Sequence, residues 1–206
     1  MEPFIRVTGA VAPLDRANVD TDQIIPKQFL KRIERSGFGE FLFYDWRRDE
    51  PDFPLERPEF RHAPILVAGA NFGSGSSREH APWALQDWGY RVIVAPSFAD
   101  IFRSNCAKIG LLAVQLPEPD VRELIDRAPA VATVDLERQV VTLPSGREAS
   151  FAIEPHVREN LLNGWDDVAL TLRRDDEIAT YERERERHGP STVALGALAD
   201  RARRPA

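Results

Sequence analysis

The clearest pattern along the chain is a threefold recurrence of short apolar runs separated by helical stretches. Pro64 to Ala68 is apolar throughout, which predicts a strand buried on both faces in a parallel sheet. A Gly/Ser loop follows, then a helix running to Trp88 with Gly89 as its stop, and a second strand at Arg91–Ala95. Ser97 with Asp100 makes a capping-box-like start for the next helix, which Gly110 ends. Leu111–Leu116 is the third strand. Strand and helix alternating in this way predict βαβ units and an α/β fold.

The flanks read differently. Phe4–Ala12 partly alternates and predicts a strand, closed by Pro13. Asp15–Asp22 is polar and turn-forming, because Asn and Asp side chains satisfy local backbone N–H groups. Pro26–Arg35 predicts a short helix with proline in its first turn, and Gly37–Pro64 a long irregular connection that packs several aromatics. Beyond Pro117 come a helix near Asp120–Arg127 and two strands, Val131–Leu136 and Gln139–Leu143. The gap between them, Glu137 and Arg138, predicts a two-residue hairpin that lacks the preferred Gly or Asn. A strand at Glu148–Ile153 and a helix at Pro155–Asn163, stopped by Gly164, complete the compact part. Arg173–Arg187 carries charges at helical spacing, the pattern of a solvated helix with i,i+4 pairs. Residues 188–206 read as a mobile tail, which leaves 1–187 as a single domain with a charged C-terminal helix.

Composition narrows the function classes. The 206 residues suffice for one well-buried domain. A net charge of −6 argues against nucleic acid or an anionic membrane as the main partner. No apolar run reaches membrane-span length, and the N-terminus lacks the basic-then-apolar order of a secretion signal, so a cytoplasmic location is the default. Cys106 is the single cysteine, which excludes an internal disulfide, a zinc ribbon and a self-contained iron–sulfur site. The four histidines are widely spaced, with no ligand-like pairing. Any metal must come mainly from elsewhere.

Candidate chemistry concentrates in Gly69–Ala81, which follows a buried strand and opens a helix, the edge where α/β proteins bind ligands. Gly73 and Gly75 allow a sharp turn close to a substrate. Ser76 and Glu79 have capping-box spacing, which predicts outward-pointing N–H groups around Ser76–Arg78 at a positive helix end. Arg78 adds a guanidinium fork suited to a carboxylate. Together these favour an anion, or a serine oxygen carrying negative charge. Pro82 stands against a helix that begins so early. The loop lacks the third glycine of a dinucleotide fold, the Gly-Lys pair of a P-loop and the flanking glycines of a hydrolase elbow. The plainer alternative is a well-capped strand-to-helix turn whose charges merely cap and pair. In Asn18–Lys27, Asp20 and Asp22 are candidates to orient a basic group or accept a proton and Lys27 to hold an anion, although taken alone the segment is better explained as an Asx-rich turn. In Ala95–Cys106 an amphipathic helix is expected to turn Ile101, Phe102 and Cys106 inward, with Cys106 a small buried apolar residue rather than a nucleophile. His80 reads as a packing or capping residue.

Three long motifs occur in register: Asn18-Val-Asp-Thr-Asp-Gln-Ile-Ile-Pro-Lys-Gln-Phe-Leu30, Asn71-Phe-Gly-Ser-Gly-Ser-Ser-Arg-Glu-His-Ala-Pro-Trp-Ala-Leu85 and Ala95-Pro-Ser-Phe-Ala-Asp-Ile-Phe102. With Val11–Asp15 before them and Asp176–Glu182 after, they resemble the small-subunit family of 3-isopropylmalate dehydratase, the swivelling domain of the aconitase superfamily. The resemblance implies a swivelling β/β/α domain, a mixed sheet with βαβ units flanked by helices. It implies that Ser76 is the catalytic base, that Arg78 stabilises the serine oxygen and a substrate carboxylate, and that Asp22 supports the site. A further superfamily arginine has no clear match; Lys27 and Lys31, with Ser77, are the substrate-binding candidates. The stretch Gln28–Phe43 would face the substrate's variable group.

The implied reaction converts 2-isopropylmalate to 3-isopropylmalate in leucine biosynthesis, by reversible dehydration and rehydration. The implied partners are a small dicarboxylic hydroxy acid and a large subunit whose cysteines hold a four-iron, four-sulfur cluster; none is held by this chain. A citraconate/methylmalate or homoaconitate hydro-lyase subunit would use the same residues. A non-catalytic anion-binding module is the alternative of a different class.

Overall fold

The computed structural model describes residues 1–32 and 36–188. They fall into two compact units, Met1–Asp166 and a second that begins at Asp167. The first unit runs β1 (Arg6–Leu14), α1 (Thr21–Ile24), α2 (Tyr44–Asp49), β2 (Ile65–Ala68), α3 (His80–Trp88), β3 (Val92–Ala95), α4 (Asp100–Ile109), β4 (Leu112–Gln115), α5 (Glu118–Asp126), β5 (Val131–Asp135), β6 (Val140–Thr142), β7 (Glu148–Ser150) and α6 (Pro155–Asn163). The second holds α7 (Asp167–Leu172) and α8 (Asp175–His188). The expected tail beyond His188 lies outside the described residues.

One mixed seven-stranded sheet carries the first unit, in the order β4-β3-β2-β1-β5-β6-β7. β1 to β4 run parallel, and β5, β6 and β7 continue the sheet antiparallel. β1 joins the two halves. Its first part, Arg6 to Ala10, pairs with β5, while Val11 to Leu14 pair with Ile65 to Ala68 of β2. The all-apolar strands are explained by what lies on each face. Leu66 and Ala68 enter one core with Leu14, Ile93, Leu85 and Cys106, whereas Ile65 and Val67 enter the other with Val94, Val114, Val121 and Leu161. A strand covered on both sides has no position for a polar residue.

The Gly37–Pro64 connection is the aromatic wall expected, and it also contains the short helix α2. Phe38, Leu42, Phe43, Phe53, Leu55 and Phe60 are all buried in the first core. Phe29 stacks on Phe41 at 4.0 Å and Phe43 on Trp46 at 5.5 Å, separations at which offset rings attract. The helix expected at Pro26–Arg35 forms only a 3₁₀ turn over Lys27–Lys31; residues 33–35 lie outside the described part.

Other differences from the sequence reading have local causes. The β5–β6 connection spans four residues, Leu136–Gln139, rather than two. Gln139 takes the left-handed conformation (φ +54°), and the Asp135 carboxylate accepts from the Arg138 N–H at 2.9 Å, so a side chain does there what Asn-Gly would have done. Ile101 does not face inward: it is 56% exposed, while Phe102 and Cys106 are buried. Gly89, Gly110 and Gly164 end α3, α4 and α6 in the left-handed conformation the pattern called for.

Leu66, fully buried at the middle of the parallel ladder, should be among the least replaceable residues. Leu66→Ala is expected to lower unfolding free energy by about 2–5 kcal/mol. Val131→Ala at a position 57% exposed should change it by no more than about 0.5 kcal/mol. Denaturant titration of the two variants checks the contrast.

Candidate functional site

The parallel strands end on one edge of the sheet, and three loops leave it there, after β1, β2 and β3. Their backbones are stitched together. Gly69 N–H donates to Arg16 O (3.0 Å), Asn18 N–H to Ala70 O (2.8 Å), Gly73 N–H to Val19 O (2.8 Å) and Thr21 N–H to Ser74 O (2.9 Å). The third loop joins through Ser97, whose Oγ accepts from Asn71 N–H at 2.9 Å and whose carbonyl accepts from Phe72 N–H at 3.1 Å. Ser97 therefore does not cap α4, as its spacing had suggested; Ala99 occupies the cap position without a side-chain bond. Asn18 and Asn71 both sit in the left-handed region (φ +57° and +58°) and are joined side chain to side chain at 2.9 Å. Asn tolerates that conformation better than other residues carrying a Cβ.

Two glycines bring the second loop down onto this platform. Gly73 has φ +77°, and a Cβ there would lie 2.1 Å from the Phe102 ring. Gly75 has φ +90° and passes beside Thr21. Ser76 and Ser77 follow, both exposed. Ser76 N–H donates to the Thr21 hydroxyl at 3.1 Å, and Arg78 N–H donates to Ser76 O at 2.8 Å.

These bonds overturn the expected Ser76–Glu79 capping box. α3 begins at His80, its cap residue Glu79 makes no side-chain cap bond, and the Ser76 and Arg78 amides are bonded to the Thr21 hydroxyl and the Ser76 carbonyl rather than turned outward. Pro82 is the reason. With α3 starting at His80, Pro82 is its third residue, where the missing N–H is not needed. A helix opening at Ser77 would have pressed the proline ring against the Arg78 carbonyl four residues back. The capping box forms instead across Asp20 and Gln23 of the first loop, at 2.7 and 2.9 Å, so Asp20 is structural.

Asp22 has the other role expected of that segment. Its carboxylate takes both arms of the Arg78 fork, at 2.6 and 3.1 Å. The Arg78 bond holds the Asp22 carboxyl below its ordinary value of 3.8; partial burial opposes this, and the charges of Arg78 and Lys27 and the Lys27 backbone N–H add to the lowering. Arg78, Lys27 and Asp22 thus form one group of two cations and one anion, a net charge of +1 by that count. The Arg78 side chain is 19% exposed and Asp22 52%, so the anion is the more accessible member.

The remaining candidates separate. Lys27 is exposed beside Asp22; Lys31 is exposed at the far end of the 3₁₀ turn. His80 packs its ring against Phe38 (5.2 Å) and Trp83 (4.8 Å), and burial lowers its pKa, so it stands neutral as a packing residue. Cys106 is fully buried, which pushes its thiol well above the usual range. Among the described residues there is no group of three or more His, Cys, Asp or Glu placed to hold a metal, so these side chains do not fit an iron–sulfur cluster. Three clefts, of about 820, 500 and 270 Å³, are lined by other residues, and none includes Ser76, Ser77, Arg78 or Asp22. Thr21 and the Asn18–Asn71 pair had no individual role in the sequence reading, and Ser97 had only that of a helix cap. Only their place inside motifs shared with a family could have marked them.

Residues 1–119 match the aconitase C-terminal domain, residues 128–155 match LeuD_N, and residues 167–190 match the C-terminal domain of the 3-isopropylmalate dehydratase small subunit. The chain is similar to proteins named 3-isopropylmalate dehydratase small subunit. One from Halalkalibacterium halodurans is 55% identical, over 90% of this chain and 100% of that one. Another from Geobacillus kaustophilus is 57% identical, over 92% and 99%. The fold is similar to a crystal structure described as 3-isopropylmalate dehydratase from Methanocaldococcus jannaschii, with a TM-score of 0.68 and 22% identity, over 85% of this chain and 99% of that one.

Two outcomes follow from the geometry. Gly73→Ala adds a clash with Phe102 to a left-handed backbone and should cost about 2–4 kcal/mol in a denaturant titration. For Asp22, whose folded pKa is depressed, the stabilisation is present above the ordinary value of 3.8 and lost as pH falls through the lower folded value. The stability gap between the native chain and Asp22→Asn should therefore be full at neutral pH and close below pH 3.8, as read from urea midpoints across the acid range.

Proposed function

The chain belongs to the family of 3-isopropylmalate dehydratase small subunits, and we propose that it supplies the base and carboxylate-binding side of the reaction between 2- and 3-isopropylmalate in leucine biosynthesis. The observation that carries this reading is an exposed hydroxyl on a tied-down backbone, Ser76, two residues from a guanidinium held in place by Asp22. Dehydration removes a proton from a carbon next to a carboxylate and a hydroxyl from its neighbour. Ser76, ionised at Oγ, takes the proton and becomes the neutral hydroxyl, and Arg78 with Lys27 attracts the negative charge of the serine oxygen and of the substrate. Asp22 holds the Arg78 fork flat and aimed, and a substrate carboxylate would share or displace that contact.

Departure of the hydroxyl calls for a Lewis acid, which the family resemblance assigns to an iron–sulfur cluster on a large subunit. The exposed position of Ser76 supports a half-site that a partner covers. A cytoplasmic setting goes with this reading; among the described residues no helix is long and apolar enough to cross a membrane.

The test is the chain co-expressed with a large subunit and assayed without oxygen on 2-isopropylmalate. The chain alone should be inactive. Ser76→Ala in the complex should lose about 10²–10⁴-fold in kcat. Arg78→Lys should also be impaired, because a point charge cannot serve Asp22 and a substrate carboxylate as a planar fork can. Near-normal turnover by Ser76→Ala would remove Ser76 from the mechanism, and tight dicarboxylate binding by the isolated chain that Ser76→Ala weakens would identify an anion-binding module instead. Faster turnover of citraconate or homoaconitate would change the substrate and keep the chemistry.

A further inference from the structure

Thr21 is 1% exposed, unusual for a hydroxyl side chain, and its two polar groups straddle Gly75. Its N–H donates to the Ser74 carbonyl at 2.9 Å, and its Oγ1 accepts the Ser76 N–H at 3.1 Å. Between those bonds the chain turns through φ +90° at Gly75, so close that a Cβ there would lie 3.5 Å from Thr21 Oγ1. Thr21 is itself immobilised as the first residue of α1. The Asp20–Gln23 capping box precedes it, its carbonyl accepts from Ile25 N–H at 3.0 Å, and Ile24 and Ile25 are fully buried.

We propose that Thr21 is a positioning residue for the reaction at Ser76, which rests on the reading of Ser76 as the base. The Ser76 N–H is bonded to Thr21 and the Ser76 carbonyl accepts from Arg78 N–H at 2.8 Å. Both peptide units flanking the serine are tied, so its Oγ keeps only the side-chain torsion. The residue after Thr21 is Asp22, which fixes Arg78. One helical turn thereby sets both partners of the site: its hydroxyl places the base and its next carboxylate places the guanidinium. Misplacing a reacting group by about 1 Å can cost on the order of 100-fold in rate, so the loss of one buried acceptor beneath an exposed serine should be felt in turnover rather than in affinity.

Thr21→Val keeps the shape and removes the acceptor; Thr21→Ser keeps the acceptor and removes the methyl group. In complexes co-expressed with the large subunit and assayed on 2-isopropylmalate, Thr21→Val should lose about 10–100-fold in kcat with KM changed by no more than about twofold. Thr21→Ser should recover to within about threefold of the native kcat. A Thr21→Val complex with native kcat overturns the proposal, and so does Thr21→Ser as impaired as Thr21→Val, since packing of the methyl group would then be the cause. Should Thr21→Val fail to assemble, hydrogen exchange of the Ser76 amide in the native chain decides: protection supports the Thr21 bond, and exchange at the rate of an unbonded amide removes it. Ser76→Ala is run alongside. Its full activity would sink the reading of Ser76 as base, whereas its loss beside an unimpaired Thr21→Val would sink only the role of Thr21.

Discussion

A buried strand cannot simply stop, because its last N–H and C=O groups still need partners where water is scarce. At the end of the β1–β2 ladder the requirement is met by continuing the pairing into the loops: Gly69 to Arg16, Asn18 to Ala70, Gly73 to Val19, Thr21 to Ser74 and finally Ser76 to the Thr21 hydroxyl. The two chain segments stay bonded from the sheet to the serine. The site is thus the frayed end of a parallel ladder, kept from fraying by side chains and glycines that accept unusual backbone angles. Its rigidity is inherited from the sheet.

That origin explains which features were legible in the sequence. The strands β2, β3 and β4 could be read because a strand buried on both faces is apolar at every position, and the stops at Gly89, Gly110 and Gly164 because a left-handed cap favours glycine. Ser76, Arg78 and Asp22 were singled out by their motif, and the structure brings Arg78 and Asp22 into direct contact across 56 residues. What failed were two inferences that spent a serine on its own helix, although Asp20 does cap locally as the Asx-rich reading expected. Ser97 was assigned to its own helix, yet it bonds Asn71, 26 residues away. Ser76 and Glu79 were assigned to each other, yet the Ser76 amide goes to Thr21, 55 residues away. Capping signals describe a helix in isolation, and a loop packed between two others has better acceptors on offer.

Energetics and geometry separate at the Arg78–Asp22 pair. An ion pair with one half-exposed partner contributes little to folding, typically about 0–1 kcal/mol, so its value is not stability. Two parallel bonds fix the plane and direction of a guanidinium that would otherwise wander on a long side chain. Arg16 shows the same device on the structural side of the loop. It makes paired bonds to Glu50 while its guanidinium lies 4.2 Å from the Trp46 ring centre, which anchors the first loop to the aromatic wall.

Exposure and order are usually opposed, since a surface side chain gains nothing by standing still. Around Ser76 they coexist because the immobilised atoms are beneath it: a buried hydroxyl, a buried ring under Gly73, and a four-residue helix pinned by Ile24 and Ile25. The hydroxyl stands on this foundation at an exposed position, with the Arg78–Asp22 pair beside it. An enzyme that contained its whole reaction would sink such a group into a cleft, where low dielectric strengthens every contact. Leaving the group proud of the surface while spending buried polar groups to hold it still makes physical sense when the missing wall arrives on another molecule. Part of the ordering entropy would then be met before any such encounter.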